Sequence, residues 1–392
     1  MRRLFALILT LALFAGALSG CGVPQPPPEL PTPTPGSQNP ENDLSALGLT
    51  PVRATPDRGY TPLAGPAGTI YFVRGDRLWA VNPDGSGERG LAPGVEITGT
   101  PSPSPDGKLV AWVGGRDLYV MPSVGGEPRS VYTGDLTERQ RLGWSADGTL
   151  VGFLTYDTTA MGVEKAWAVP AEGGEPILVT ALNYSVGDRG PTYERTVQWS
   201  RDGHWVVVGA VDNSLVLLRW PLGPNGQVGD IAGGEPDWSP DSRTLLYTES
   251  LNGAVLIYGV LEAEATPFRN EKLLVGTGLG QFAQGPGPRW SPASVGADSD
   301  LLVYRTRTTS GEPSVAVRTR GGRDLNALRP NTNNPAWSPN GDSLVVETGT
   351  LTADPLGPKW APNGLAIATI SLSGEHTLKP LVADAKWPAW GK

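Results

Sequence analysis

One short phrase recurs along this chain and constrains it more than any other feature. It reads Trp144-Ser145-Ala146-Asp147-Gly148, Trp199-Ser200-Arg201-Asp202-Gly203, Trp238-Ser239-Pro240-Asp241, Trp290-Ser291-Pro292 and Trp337-Ser338-Pro339-Asn340-Gly341, with a weaker copy, Pro103-Ser104-Pro105-Asp106-Gly107, that lacks the tryptophan. The copies start at 103, 144, 199, 238, 290 and 337, so successive units are 41, 55, 39, 52 and 47 residues long. That period is the period of β-propeller blades.

Each copy leads into a run of strand composition: KLVAWV (108–113), TLVGFLTY (149–156), HWVVVGAV (204–211), TLLYTE (244–249), DLLVYRT (300–306) and SLVVETG (343–349). A further strand then ends in a turn rich in glycine, as in DLYVMPSVGGEP, AWAVPAEGGEP, SVAVRTRGG and, earliest, LWAVNPDGSGE. The expected blade is an inner strand A ending at the Trp, a tight turn, strands B and C, a hairpin, and an outer strand D. The aromatic packs between neighbouring sheets, Ser and Asp satisfy turn amides, and Gly or Asn takes the positive φ. Asp106, Asp147, Asp202 and Asp241 are therefore structural punctuation and not catalytic groups.

The repeated phrase, the strand after it and the V-x-x-x-GG turn resemble the TolB-type propeller repeat over about residues 67–392. Periplasmic TolB carries an α/β domain before its propeller. Only a tether precedes the first strand here, so the resemblance implies the fold without the Tol–Pal partnership.

Groups of B, C and D strands begin near 69, 108, 149, 204, 243, 300 and 342, which gives an all-β, seven-bladed β-propeller, with six or eight blades as alternatives. Six inner strands precede groups two to seven. The segment Ala385-Lys386-Trp387-Pro388-Ala389-Trp390 is expected to supply the missing inner strand beside 69–73, closing the ring and removing a free sheet edge. Trp360-Ala361-Pro362-Asn363-Gly364 lies only 23 residues after Trp337 and reads as part of an enlarged B–C loop in the last blade.

Upstream, Arg2 and Arg3 precede an apolar run over 4–18, the pattern of a secretory signal peptide covering residues 1–20. Leu18-Ser19-Gly20-Cys21 follows and resembles the bacterial lipobox, in which the cysteine thiol receives a diacylglyceryl group. Cys21 is the sole cysteine of 392 residues, which favours lipid attachment over a disulfide. Residues 21–66, opening GVPQPPPELPTPTPGSQNPEND, have no hydrophobic periodicity and form a lipid-anchored, proline-rich disordered tether. An extended polyproline conformation covers about 3.1 Å per residue, so the tether can hold the propeller (67–392) well off a bilayer.

The chain has a net charge of −8, and loss of the leader makes it more negative, so no nucleic-acid partner is expected. Two histidines, His204 and His376, fall in different blades, and HExxH and Gly-x-Ser-x-Gly are absent from the sequence. Asn82-Pro83-Asp84-Gly85-Ser86-Gly87 reads as a C–D hairpin turn in preference to a calcium loop, and Asp298 and Asp300 read as solvated loop charges. The chain is therefore expected to be no enzyme and to hold no cofactor or metal.

In a propeller the A–B and C–D connections share one face and the D–A and B–C connections the other. The long insertions, about 157–165 and 350–364 (B–C) and about 182–196 and 276–288 (D–A), fall on the second face. Long loops on a rigid scaffold are where recognition sits. Tyr184, Arg189, Tyr193, Arg195, Phe282 and Arg289 are the candidate binding residues there. The expectation is a monomeric, extracytoplasmic propeller, held to the cell membrane or outer membrane through diacylglyceryl Cys21, that binds an envelope protein. A receptor for a small ligand or glycan is the alternative, and a propeller lyase or hydrolase a more distant one.

Overall fold

The computed structural model describes residues 67–392 apart from 138–139, 157–162, 184–194, 210–213, 224–226, 252–253, 262–268, 274–286, 294–299, 309, 326 and 354–358. All of them belong to a compact unit, Ala54–Lys392. Cys21, the leader and the tether to residue 66 lie outside the described residues.

Seven sheets, antiparallel but for one two-residue parallel pairing, follow one another along the chain as the blades of a β-propeller. Blade 2, for example, runs Ser102–Pro103, Leu109–Gly114, Asp117–Pro122 and Arg129–Thr133 from inside to outside. Blade 1 is assembled from both ends of the described chain. Lys386–Gly391 is its inner strand and pairs with Thr69–Arg74 in the register Thr69↔Gly391, Ile70↔Trp390 and Tyr71↔Ala389. The expected ring closure is therefore present.

No single core exists at the centre. The buried apolar side chains form seven clusters among the described residues, one at each junction between blades. The strand Trp205–Gly209 shows why: Val206 and Val208 pack on blade 3, while Trp205 and Val207 pack on blade 5. With both faces of a strand covered, the period-two alternation of side chains gives apolar residues at every position. That explains the unbroken hydrophobic runs after each repeat. The motif tryptophans Trp144, Trp199, Trp238, Trp290 and Trp337 are all buried, as their role between sheets requires.

The motif turns are built alike. In blade 2 the Ser104 N–H donates to Leu109 O (2.9 Å), its Oγ accepts from Leu109 N (3.0 Å), and its hydroxyl donates to Asp106 Oδ1 (2.7 Å). The same carboxylate oxygen accepts from Lys108 N (3.1 Å). Ser145 with Asp147, Ser200 with Asp202 and Ser239 with Asp241 repeat this set. Gly107, Gly148, Gly203 and Gly341 hold φ of +74°, +72°, +76° and +74°, where a Cβ is strained. Blade 7 departs in detail: Asn340 stands at the Asp position, and Asp342 accepts from Ser338 Oγ (3.2 Å) and Asn340 Nδ2 (2.7 Å).

Three sequence expectations are corrected. Trp360-Ala361-Pro362-Asn363-Gly364 is no loop. It belongs to strand Lys359–Thr369, which pairs along Ser343–Thr352 with Leu351↔Trp360 and Thr350↔Ala361. Asp300 is no solvated loop charge either, being buried at the start of strand Leu301–Arg307, while Asp298 lies outside the described residues. The expected loops at 157–165 and 182–196 are shorter than drawn, because strands Val163–Pro170, Ile177–Asn183 and Arg195–Trp199 take up their ends.

Blades 3 and 4 are joined in an unexpected way. Gln140–Arg141, the upstream part of blade 3's inner strand, leaves its own blade and pairs in parallel with Arg195 and Thr196 of blade 4. The Gln140 side chain fills the gap left behind, donating from Nε2 to Leu154 O (3.1 Å) and accepting at Oε1 from Leu154 N (2.7 Å). Downstream, Gly143 permits the close approach: a Cβ there would lie 1.9 Å from Val197 O.

Candidate functional site: two carboxylates beneath the long-loop face

Antiparallel order within each blade puts the A–B turns and C–D hairpins on one face and the D–A and B–C connections on the other. The turn face spends the polar groups of its motif turns within the turns themselves. Its Asp groups are occupied in the turns they cap, and their hydrogen bonds hold them in the anionic form: the Ser104 hydroxyl, then the Lys108 amide, bring Asp106 down to about 2, and Ser145 lowers Asp147 likewise. Asp84 caps its own hairpin, accepting from Ser86 N (2.9 Å) and Ser86 Oγ (2.7 Å). His204 sits exposed beside Asp202 (3.2 Å), and His376 Nδ1 accepts from Ser371 N (3.3 Å), so the histidines serve two separate turns. A groove of about 530 Å³ lies between the Asn82–Asp84 hairpin and the outer strands of blade 7 at Thr377 and Lys379.

Of the six sequence-proposed binding residues, Tyr184, Arg189, Tyr193 and Phe282 lie outside the described residues. Arg195 and Arg289 are described, and both begin inner strands. Arg195 is turned inward: its Nε lies 2.9 Å from Glu164 Oε1, and its guanidinium is 5.3 Å from the centre of the Tyr156 ring. Glu164 is completely buried on strand Val163–Pro170. Arg289 is half-buried, donates from Nη1 to Pro288 O (3.0 Å), and its own carbonyl accepts from Trp337 Nε1 (3.2 Å). The structure does not bring these two arginines together in one cluster: they sit in blades 4 and 6.

Two further polar groups face the ring's axis. Arg141 Nη2 reaches Asp237 Oδ1 of blade 5 at 3.0 Å, and Asp237 Oδ2 accepts from Trp290 N of blade 6 at 2.8 Å. Asp237 thus ties its own blade both to the next one, at Trp290, and to the Gln140–Arg141 segment that enters blade 3.

A second buried carboxylate, Glu347, lies at the junction of blades 7 and 1. Its Oε2 accepts from Trp360 Nε1 (2.7 Å) and its Oε1 from the backbone N of Trp387 (2.7 Å). Burial pushes the Glu347 carboxyl up, against the opposing pull of hydrogen bonds from Asn334, Trp387 and Trp360 and of the Arg305 charge. Trp387 adopts φ of +53° at a register shift in the pairing of the closing strand. A bulged, left-handed tryptophan is strained, and the Glu347 bond holds it. Lys386 Nζ covers its ring at 4.3 Å and also meets Asp76 at 3.0 Å.

Chemically, Glu347 is a positioning group. With each oxygen engaged by an N–H and no exposed surface, it orients Trp360 and Trp387, two half-buried aromatics on the long-loop side. Sequence reasoning missed this cluster by treating Trp360 as loop. The available signal was an acid inside an apolar strand, Val345-Val346-Glu347 and likewise Val163-Glu164, since such a position is unfavourable without partners. Among the described residues no group of three or more His, Cys, Asp or Glu could hold a metal ion.

No known family model matches the chain. Tricorn protease homolog 1 of Streptomyces coelicolor is 30% identical over 144 residues, which take in 35% of this chain and 13% of that protein. The chain thus spans 13% of the length of the curated relative it matches. Among solved structures, TolB of Acinetobacter baumannii aligns over 83% of this chain and 66% of its own at 15% identity and a TM-score of 0.45. Prolyl oligopeptidase B of Galerina marginata aligns over 83% of this chain and 52% of its own at 12% identity and a TM-score of 0.54. At 12% identity the likeness to the oligopeptidase is one of fold, and the chain is a β-propeller whose function has to be read from its own residues.

Proposed function

We propose that this chain is a non-catalytic interaction module: a monomeric propeller, anchored to the cell membrane or outer membrane through diacylglyceryl Cys21, that binds an envelope protein with its long-loop face. The observation that carries this reading is the contrast between the faces. Polar side chains of the turn face are spent on capping turns, whereas the other side holds Trp360 and Trp387 half-buried and fixed by Glu347. Rigid aromatics at the rim of a scaffold lose little entropy on contact and make good interface anchors.

Affinity capture from envelope extracts tests it, with wild type beside Trp360→Ala and a variant shortened at 276–288. One protein retained by wild type and lost in both variants is expected; equal retention by all three sinks the reading. The same two tryptophans favour a second reading, a receptor that stacks a sugar ring, for which saturable binding on a glycan array is the corresponding test. Lipidation is tested separately: an alkynyl fatty acid should label wild type and leave Cys21→Ser unlabelled.

A further inference from the structure

The turn face is where the chain joins the propeller. The Ala67 carbonyl accepts from Trp390 Nε1 at 3.0 Å, and a Cβ on Gly68 would lie 2.0 Å from Gly391 O and 3.2 Å from Pro339 of the blade 7 motif turn. Any link to Cys21 therefore leaves from among the A–B turns. The same face carries all the large exposed apolar side chains among the described residues. Val124 (81% exposed) and Leu372 (44%) occupy the C–D hairpins of blades 2 and 7, and Ile177 (44%) and Leu178 (45%) open the outer strand of blade 3 just after its hairpin. Blades 7, 1, 2 and 3 are consecutive around the ring, so these side chains lie along one arc of the rim, interrupted at blade 1 by the polar hairpin Asn82-Pro83-Asp84-Gly85-Ser86.

We infer that this arc rests on the bilayer to which the chain is tethered, so that the long-loop face points away from the membrane. The inference builds on the anchoring reading above. Single exposed apolar residues are ordinary on a protein surface. What sets these apart is that they share a face with one another and with the point of attachment. A handful of partly inserted side chains holds a free protein weakly, but the tether's extended length sets only the greatest distance from the bilayer, and a chain that folds back supplies the effective concentration that makes a weak contact persist. Glu172 is paired with Arg129 (2.6 Å), and Glu127, Glu175 and Glu375 on the same hairpins repel an anionic surface. The partner is thus a zwitterionic lipid surface.

Coupling the mature chain, residues 21–392, through its one thiol to a maleimide lipid in dioleoylphosphatidylcholine vesicles tests this without depending on the cell's own lipidation. Amide hydrogen exchange is compared with the same protein blocked by N-ethylmaleimide and mixed with the same vesicles. Residues 123–126, 173–178 and 371–374 should exchange more slowly, by about threefold or more, only when coupled, while 310–312 and 350–352 on the opposite side stay unchanged. The double variant Val124→Ser, Leu372→Ser should lose the protection and keep its melting temperature. Equal exchange in coupled and blocked protein, protection of both faces, or protection that survives the double variant would overturn the inference. Failure of fatty-acid labelling in cells would instead remove the anchoring reading and leave the vesicle result as it stands.

Discussion

The junction between blades 3 and 4 and the junction between blades 7 and 1 each bury a glutamate completely, yet they stabilise it by different means. Glu164 at the first is met by the Arg195 guanidinium. Glu347 at the second is met by two neutral N–H donors, the Trp360 indole and the Trp387 backbone. The first junction lies inside a continuous chain: Gly143 and the parallel bridge of Gln140–Arg141 let the two inner strands touch, and Gly152 on the next strand makes room for Val197 and Trp199. The second joins strands far apart in the chain and has to capture an incoming strand. A carboxylate that accepts directly from that strand's backbone ties closure to a single register, which an ion pair between side chains would do less tightly.

The greatest expected effect breaks the closing junction outright. Removing residues 385–392 strips blade 1 of its inner strand, bares the edge of Thr69–Arg74 and takes away the buried Trp390, Ala385 and Ala389. At about 25 cal/mol per Å² of apolar surface this amounts to several kcal/mol, a large share of a stability of about 5–15 kcal/mol. Limited proteolysis and thermal unfolding should show an aggregating, protease-sensitive product, whereas removal of residues 22–60 should leave the melting transition unchanged.

Next in size, Arg195→Met should destabilise by about 3–5 kcal/mol, because it takes the guanidinium away from the buried Glu164 charge. Adding Glu164→Gln should restore much of the loss in denaturant titration. A double variant no better than Arg195→Met alone would show that the arginine acts through packing on Tyr156 and not through charge.

Gly143→Ala probes what lets blades 3 and 4 meet. The new methyl would run into Val197 O, a backbone atom that cannot swing aside, and a cost of about 1–3 kcal/mol is expected. The corresponding substitution at Gly115, whose surroundings are open although its φ is +62°, should cost less, by about 1 kcal/mol of backbone strain alone. Equal losses at the two sites would mean that the close approach is relaxed in solution.

The smallest effects are pH slopes of opposite sign. The Glu347 carboxyl is raised in the folded state, so the native protein binds its proton more readily than the unfolded chain does. Its contribution to stability therefore falls as pH rises through the interval above the ordinary glutamate range, and Glu347→Gln should flatten that slope. Asp106 is lowered to about 2, so its contribution is present above its ordinary value near 3.8 and is lost as pH falls toward 2. Being largely exposed, it should contribute well under the full shift. Melting temperatures of wild type, Glu347→Gln and Asp106→Asn between pH 3 and 8 separate the two; identical profiles for all three would remove both assignments.

Much of the architecture was legible because it rests on local chemistry repeated many times. Ser104 and Asp106 close their turn with atoms only a few residues apart, so the phrase carries its own structure and the blade count follows. The aromatic tail at Trp387 and Trp390 was readable for a related reason: six inner strands for seven groups left one place vacant. What escaped depends on distant partners. Trp360-Ala361-Pro362-Asn363-Gly364 copies the punctuation phrase, yet Ser343–Thr352 extends far enough to pair with it, and Pro362 is accommodated beside a register shift at Thr348 and Gly349. Arg195 looked like an exposed loop residue because its partner Glu164 is a blade away. The candidate site was correspondingly less legible than the fold: Glu347 and Trp360 meet across two neighbouring strands of blade 7, and Trp387 joins them only when the ring closes.

That closure also decides how the protein bears mechanical load. A pull on the chain upstream of Ala67 acts along strand Thr69–Arg74, which is hydrogen-bonded on one side to Lys386–Gly391 and on the other to Arg77–Val81. Tension applied along a strand's axis shears its ladders, straining many bonds at once, whereas tension across it would peel them one by one. The first strand after Ala67 is thus gripped on both flanks, and the ring resists being unravelled by a pull from that end.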